Sequence, residues 1–147
     1  LPVFFHTEHV QLPVPLRAGS WKKWLHALAA SHGYRIGELN YIFCSDEFLL
    51  EMNQTYLHHD TLTDILSFDN SEHPGRIEGD IFISIERVAE NADNFRVTIA
   101  EELARVMAHG LLHLCGFRDK TATEKLAMRR QEAIALELAE TILRPPG

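Results

Sequence analysis

The segment His109-Gly-Leu-Leu-His-Leu-Cys-Gly-Phe-Arg-Asp119 carries two histidines four residues apart, then a glycine and an aspartate. Residues i and i+4 of a helix lie one turn apart on the same face, so both imidazoles can point at one ion. Gly116 lets the chain leave that helix, and Asp119 can fold back from the following turn as a third ligand. Two nitrogens and one oxygen leave a fourth position open, as in catalytic rather than structural zinc sites. An open position lets the metal lower the pKa of bound water to ~7 or polarise a phosphoryl oxygen. The competing reading is a helix face on which two histidines pack or meet solvent with no ion, and spacing leaves both open. Gly110, between the histidines, adds a requirement of its own. A helical glycine costs about 1 kcal/mol relative to alanine, so it calls for close approach of substrate or of another backbone.

Working back from this segment, Thr98-Ile-Ala-Glu101 forms a capping box that starts the helix, which runs to about Leu114. A second box, Thr121-Ala-Thr-Glu124, starts a last helix that ends before Arg144-Pro-Pro. Upstream, Val3–Phe5 is a first strand, and Pro13 and Pro15 force an extended connection. Ser20 is placed to cap a helix to about Ser31, with Trp21, Trp24, Leu25 and Leu28 on one face and Gly33 as its stop. Glu38–Ser45 alternates as a strand with Leu39, Tyr41 and Phe43 on one side. Asp46 is placed to cap a helix whose buried stripe is Phe48, Leu49, Met52 and Tyr56. Asp64–Asp69 and Asp80–Ile85 read as strands around a loop with Pro74, Gly75 and Gly79, and Glu86–Asn94 as a short amphipathic helix. The order βαβα, two strands, then helices predicts an α+β domain: a small mixed sheet packed with helices, the metal site on a central helix and the turn after it.

The 147 residues fit one domain over 1–147, without repeats or linkers. Hydrophobic residues make up 46% and charged residues 24%, an ordinary globular balance. No apolar run approaches a membrane span, and the start lacks the pattern of a secretory leader. With two cysteines, Cys44 and Cys115, there is no disulfide framework, and a cytoplasmic location is expected. The net charge of −7 argues against broad electrostatic capture of nucleic acid.

Two families of site share the histidine rhythm. The extended zinc-protease pattern is H-E-x-x-H-x-x-G-x-x-H, but Gly110 stands where its glutamate base belongs and Asp119 where its third histidine belongs. The run HGLLHLCGFRD instead resembles the signature of the YbeY family, H-G-x-L-H-L-x-G-Y-D-H. Residues 53–68, NQTYLHHDTLTDILSF, resemble that family's N-x-x-x-R-x-x-D-x-P-T-D-V-L-S-F, and Gly79-Asp-Ile-Phe-Ile-Ser84 its G-D-I-x-I-S strand. Glu124, Met128 and Glu132 stand at the family's spacing, so the likeness covers roughly residues 40–135 in order.

The resemblance implies a metal-dependent, single-strand-specific endoribonuclease acting in ribosomal RNA maturation, at the 16S rRNA 3′ end, and in ribosome quality control. It implies one zinc, or another divalent metal, on His109, His113 and Asp119. Its partners would be single-stranded or ribosomal RNA, with a ribosomal protein or a GTPase as a further candidate. Two departures stand out: the family's third histidine is Asp119, and its arginine, expected to meet RNA phosphate, is Leu57. The motif's proline is Leu62. Arg105, one turn before His109, and Lys120 are the candidate replacements for the arginine; Arg105, Ser67 and Asp64 are the candidate catalytic residues. Ser67 is expected to hydrogen-bond beside the metal, with a strand-end cap as the alternative. His58 and His59 are expected in an exposed loop, and Cys115 as a small buried hydrophobe. Two other functions remain in play. One is a zinc peptidase borrowing its base from Asp64 or Asp80; the other is a metal-stabilised ribosome-binding factor that cuts nothing.

Overall fold

The computed structural model describes residues 2–16, 18–57 and 64–143, with backbone only at 18, 56 and 57. Four strands form one sheet in the order β1-β2-β4-β3: β1 Val3–Thr7, β2 Arg35–Cys44, β3 Ile65–Asp69 and β4 Arg76–Ser84. The pairs β1–β2 and β2–β4 are parallel, and β3 runs antiparallel to β4, so the sheet is mixed. Five α-helices complete the described chain: α1 Ala18–Ser31, α2 Asp46–Met52, α3 Ile85–Phe95, α4 Ile99–Leu114 and α5 Ala122–Leu143. The expected α+β architecture is what the chain adopts.

Alternation along the strands divides the sheet into two faces. Leu39, Tyr41 and Phe43 of β2 and Ile77, Ile81 and Ile83 of β4 are all buried, in one core with Trp24, Leu25, Leu28, Met107 and Leu111 from the helices. The polar atoms of two large aromatics in that core are satisfied by helix backbone: Trp24 Nε1 donates to the Ala135 carbonyl and Tyr41 Oη to the Met107 carbonyl. On the opposite face a smaller cluster joins Cys44 and Leu66 to Leu49 of α2, with Phe48, Met52, Phe68 and Phe82 around it.

Helix α4, which carries the two histidines, is buried along most of its length. Thr98 caps it by accepting from the Glu101 backbone N–H, as expected. At its other end Gly116 has φ of 97°, the Phe117 N–H bonds the Leu112 carbonyl and the Gly116 N–H bonds the His113 carbonyl. That pair of bonds is a Schellman turn, which reverses the chain and returns 117–119 toward the helix. Gly33 (φ 81°) ends α1 in the same way, with Tyr34 N–H on the Ala29 carbonyl.

Several boundaries differ from the sequence reading. Helix α1 begins at Ala18, so Ser20 lies inside its first turn and is not the cap. Ser45, not Asp46, caps α2: its backbone is extended and its hydroxyl accepts from Phe48 N–H. Asp46 is instead the first helical residue, and its carboxylate accepts from Ser84 Oγ across to α3. Strand β4 starts at Arg76 rather than Asp80, because 76–79 pair in parallel with β2, and it ends at Ser84, where Ile85 already belongs to α3. Strand β2 likewise begins at Arg35, ahead of Glu38. The helix from Asp46 runs into one π-helical turn, Asn53–Leu57, and the side chains of Tyr56 and Leu57 lie outside the described residues. So do His58, His59 and Leu62.

Cys44 is fully buried, with its thiol against the Ile83 carbonyl. Burial first, then the carboxylates of Asp46 and Glu8, pushes this thiol up to about 12. Only the thiolate alkylates readily. Iodoacetamide at pH 8 is therefore expected to modify Cys44 in the native protein about a thousandfold more slowly than in urea, read by peptide mass spectrometry. Comparable rates in the two states would contradict the burial.

Candidate metal centre

His109 and His113 sit one turn apart on α4, on the side that faces the last helix and the turn after Gly116. Their Nε2 atoms converge at 3.0 Å. The Schellman turn brings Asp119 to them: Oδ2 lies 3.3 Å from His109 Nε2, and Oδ1 lies 3.6 Å from His113 Nε2. All three ligand atoms fall within 4.8 Å of one another. Ligand atoms around a tetrahedral zinc with bonds of 2.0–2.1 Å stand about 3.3 Å apart. The observed separations bracket that value, and neutral imidazole with carboxylate is a donor set zinc accepts. The residues present therefore fit the ion.

The three residues line one wall of a cavity of about 290 Å³, whose other walls are Asp64, Ile65, Ser67, Arg105 and Val106. Asp64 and Ser67 thus reach the site from β3 and the residue before it. Asp80 does not: it is on the far face of the sheet, bonded to the side-chain amides of Asn40 and Asn70. A base borrowed from Asp80 is excluded by this placement. Gly110 faces the sheet, and its requirement is packing. A Cβ there would stand 2.9 Å from Ile65 Cδ1 and 2.9 Å from Ile81 Cγ2. The close approach is thus to sheet side chains, neither to substrate nor to another backbone.

Arg105 also lines the cavity, but its guanidinium is engaged. Nε and Nη2 donate to the two oxygens of Glu102 at 2.8 and 2.6 Å, and Nη1 donates to Glu132 Oε1 at 3.0 Å. The hydrogen bond to Glu102 leads the causes that hold its pKa above the ordinary arginine value. The second oxygen of Glu132 stands 2.6 Å from His109 Nδ1. Burial works to raise the Glu132 carboxyl, but the bond to His109 and the charge of Arg105 outweigh it and hold the group below its usual range. His113 is lowered by burial and by neighbouring His109, which outweigh the raising effects of Asp119 and the Phe117 backbone. Lys120 is exposed, and its backbone N–H is part of the cap of α5, where Glu124 accepts from Lys120 and Thr121.

Glu102 carries no motif or spacing that marks it as a site residue, and Glu132 stands out in the sequence only by its spacing. The available signal was position. Met128, Glu132, Ala135 and Ala139 form the buried stripe of α5, and a carboxylate in an apolar stripe implies a buried partner.

The fold and the cluster together place the chain among α+β domains that bring two histidines and a carboxylate together at the end of a helix, a group that could hold a metal ion. The family can be given as well. The family model described as Endoribonuclease YbeY matches residues 6–140, and the chain belongs to that family. It is 54% identical over 136 residues to the Endoribonuclease YbeY of Cytophaga hutchinsonii, covering 92% of this chain and 94% of that relative. It is 43% identical to the one from Bacteroides thetaiotaomicron, covering 94% and 99%. Among solved structures it is similar to TM1509 from Thermotoga maritima, a solution structure, with a TM-score of 0.66, 26% identity, and coverage of 97% and 91%.

Proposed function

We propose that this chain is a metal-dependent endoribonuclease directed at single-stranded RNA, acting on ribosomal RNA at the 16S 3′ end and in ribosome quality control, in the cytoplasm. The observation that carries the reading is the convergence of His109, His113 and Asp119 on one point at the wall of an open cleft. A single zinc bound there supplies Lewis acidity toward a phosphodiester and lowers the pKa of a water molecule. The protein's own groups do the rest. Asp64, across the cavity, is placed to accept a proton from the attacking water, and the Ser67 hydroxyl to hydrogen-bond a phosphate oxygen. Splayed single strands suit a cleft of this size better than a stacked duplex. Arg105 lies in the cleft, but its charge is already countered by two carboxylates, so the exposed Lys120 beside Asp119 is the better candidate to meet phosphate.

Among the described residues no helix is long and apolar enough to cross a membrane. The peptidase alternative loses one of its two candidate bases, since Asp80 lies behind the sheet, and Gly110 packs on that sheet with no side chain to serve as the motif's glutamate. The test has two parts. Metal analysis of the purified protein is expected to give about one zinc per chain, weakened by Asp119→Ala. Labelled single-stranded RNA is then expected to be cut, its duplex spared, and cutting stopped by a chelator and restored by metal. No bound metal after zinc is added would sink the catalytic reading. RNA retained but uncut in every divalent metal would instead identify a binding factor.

A further inference from the structure

We propose that Glu132, held in place by Arg105, is a positioning residue for His109: it keeps the ring proton on Nδ1 and so turns a bare Nε2 toward the metal corner. The inference deepens the metal reading above and rests on it. Glu132 is buried on α5, where an unpaired carboxylate would be costly. Both of its oxygens are used, Oε1 by Arg105 and Oε2 by His109. An ionised carboxylate only accepts hydrogen bonds, so a 2.6 Å contact to His109 Nδ1 requires Nδ1 to carry the proton. In a neutral imidazole Nε2 is then a lone pair, and it is Nε2 that faces His113 and Asp119. Carboxylates behind metal-bound histidines fix the tautomer and raise ligand basicity in this way.

Arg105 sets the carboxylate's angle. Glu102 grips the guanidinium through two bonds, leaving Nη1 for Glu132 Oε1, and so Oε2 points at His109. One positive charge between two carboxylates leaves an excess negative charge behind His109. That excess strengthens Nε2 as a donor to a cation. Arg105 thereby acts through Glu132 and His109 rather than on phosphate.

The rival account is a buried ion-pair network that merely joins α4 to α5. Metal-free protein, wild type, Glu132→Gln, Glu132→Met and Glu102→Gln, should be compared by ¹⁵N-resolved histidine spectra, and zinc affinity measured by chelator competition. Expected are a His109 with the proton on Nδ1 in wild type, loss of that preference in Glu132→Met, and zinc affinity lower by about 10–100-fold. Glu132→Gln keeps the volume of the side chain, and it provides the comparison should Glu132→Met fail to fold. Glu102→Gln loosens the grip on Arg105 and removes the excess charge but leaves the Glu132–His109 bond in place. It is therefore expected to lower the melting temperature and keep the tautomer, with a smaller loss of affinity than the Glu132 variants show. The proposal is overturned by a wild-type His109 protonated on Nε2. It is equally overturned by unchanged affinity in the folded Glu132 variants, or by an affinity loss in Glu102→Gln as large as theirs. A wild type that binds no zinc overturns the metal reading instead, while the tautomer in metal-free protein still decides whether Glu132 orients His109.

Discussion

His113→Ala will fold, lose its metal and stop cutting RNA. The side chain is part exposed at the cleft, and its partners there are His109 and Asp119. Its removal therefore leaves the packed side of α4 intact, and alanine is the better helix former. Stability should stay within about 1 kcal/mol of wild type, a change of roughly 2–4 °C in melting temperature. Metal affinity should fall much further. Losing a group one step removed from a metal costs about 10–100-fold, so losing a direct ligand from a set of three should cost at least about 100-fold. Zinc retention on a desalting column and cleavage of labelled RNA read the two effects separately. Unchanged cleavage in a metal-loaded variant would exclude His113 as a required ligand.

The largest effect on the fold is expected at Gly79, in the middle of β4. A Cβ there would lie 2.6 Å from the backbone carbonyl oxygen of Phe68 and 3.1 Å from Leu114 Cδ1. The carbonyl belongs to β3, paired with β4 across Phe68–Asp80 and Asp69–Gly79, so it cannot yield without moving the ladder. Gly79→Ala should cost about 3 kcal/mol, the upper part of the usual range for overpacking. That corresponds to about 10 °C in melting temperature for a domain of this size. Gly110→Ala is the comparison. Its obstructions are Ile65 and Ile81 side-chain atoms, and the helix gains about 1 kcal/mol from the alanine, so its loss should be clearly smaller. A Gly79→Ala protein that melts with wild type would mean the two strands are farther apart than described.

What could be read from the sequence follows how local each determinant is. Thr98 and Thr121 cap through residues three positions away, so both helix starts were legible. The clustering of His109, His113 and Asp119 was legible because all three fall between 109 and 119. The first four residues of β4 were not, since Arg76 and Gly79 look like loop until β2 pairs with them. Ala18-Gly19 carries no start signal, which is why Ser20 drew the cap. Glu132 meets Arg105 and His109 across 27 and 23 residues, so the apolar stripe it interrupts signals a buried carboxylate without naming its partners. Gly110 was recognisable as a close contact, but only the sheet behind it gave the partner.

The Schellman turn at Gly116 has a thermodynamic consequence. Because it closes the site within a single short stretch, all three donors travel together on the chain even when the sheet is gone. Closing so short a loop costs little entropy, so the denatured chain keeps some affinity for the ion. A ligand that binds both states stabilises the native one only by the difference. Zinc should therefore raise the melting temperature less than its native affinity alone would give. The shortfall measures how much of the site is written in eleven consecutive residues, and how much is added by the helix that brings Glu132.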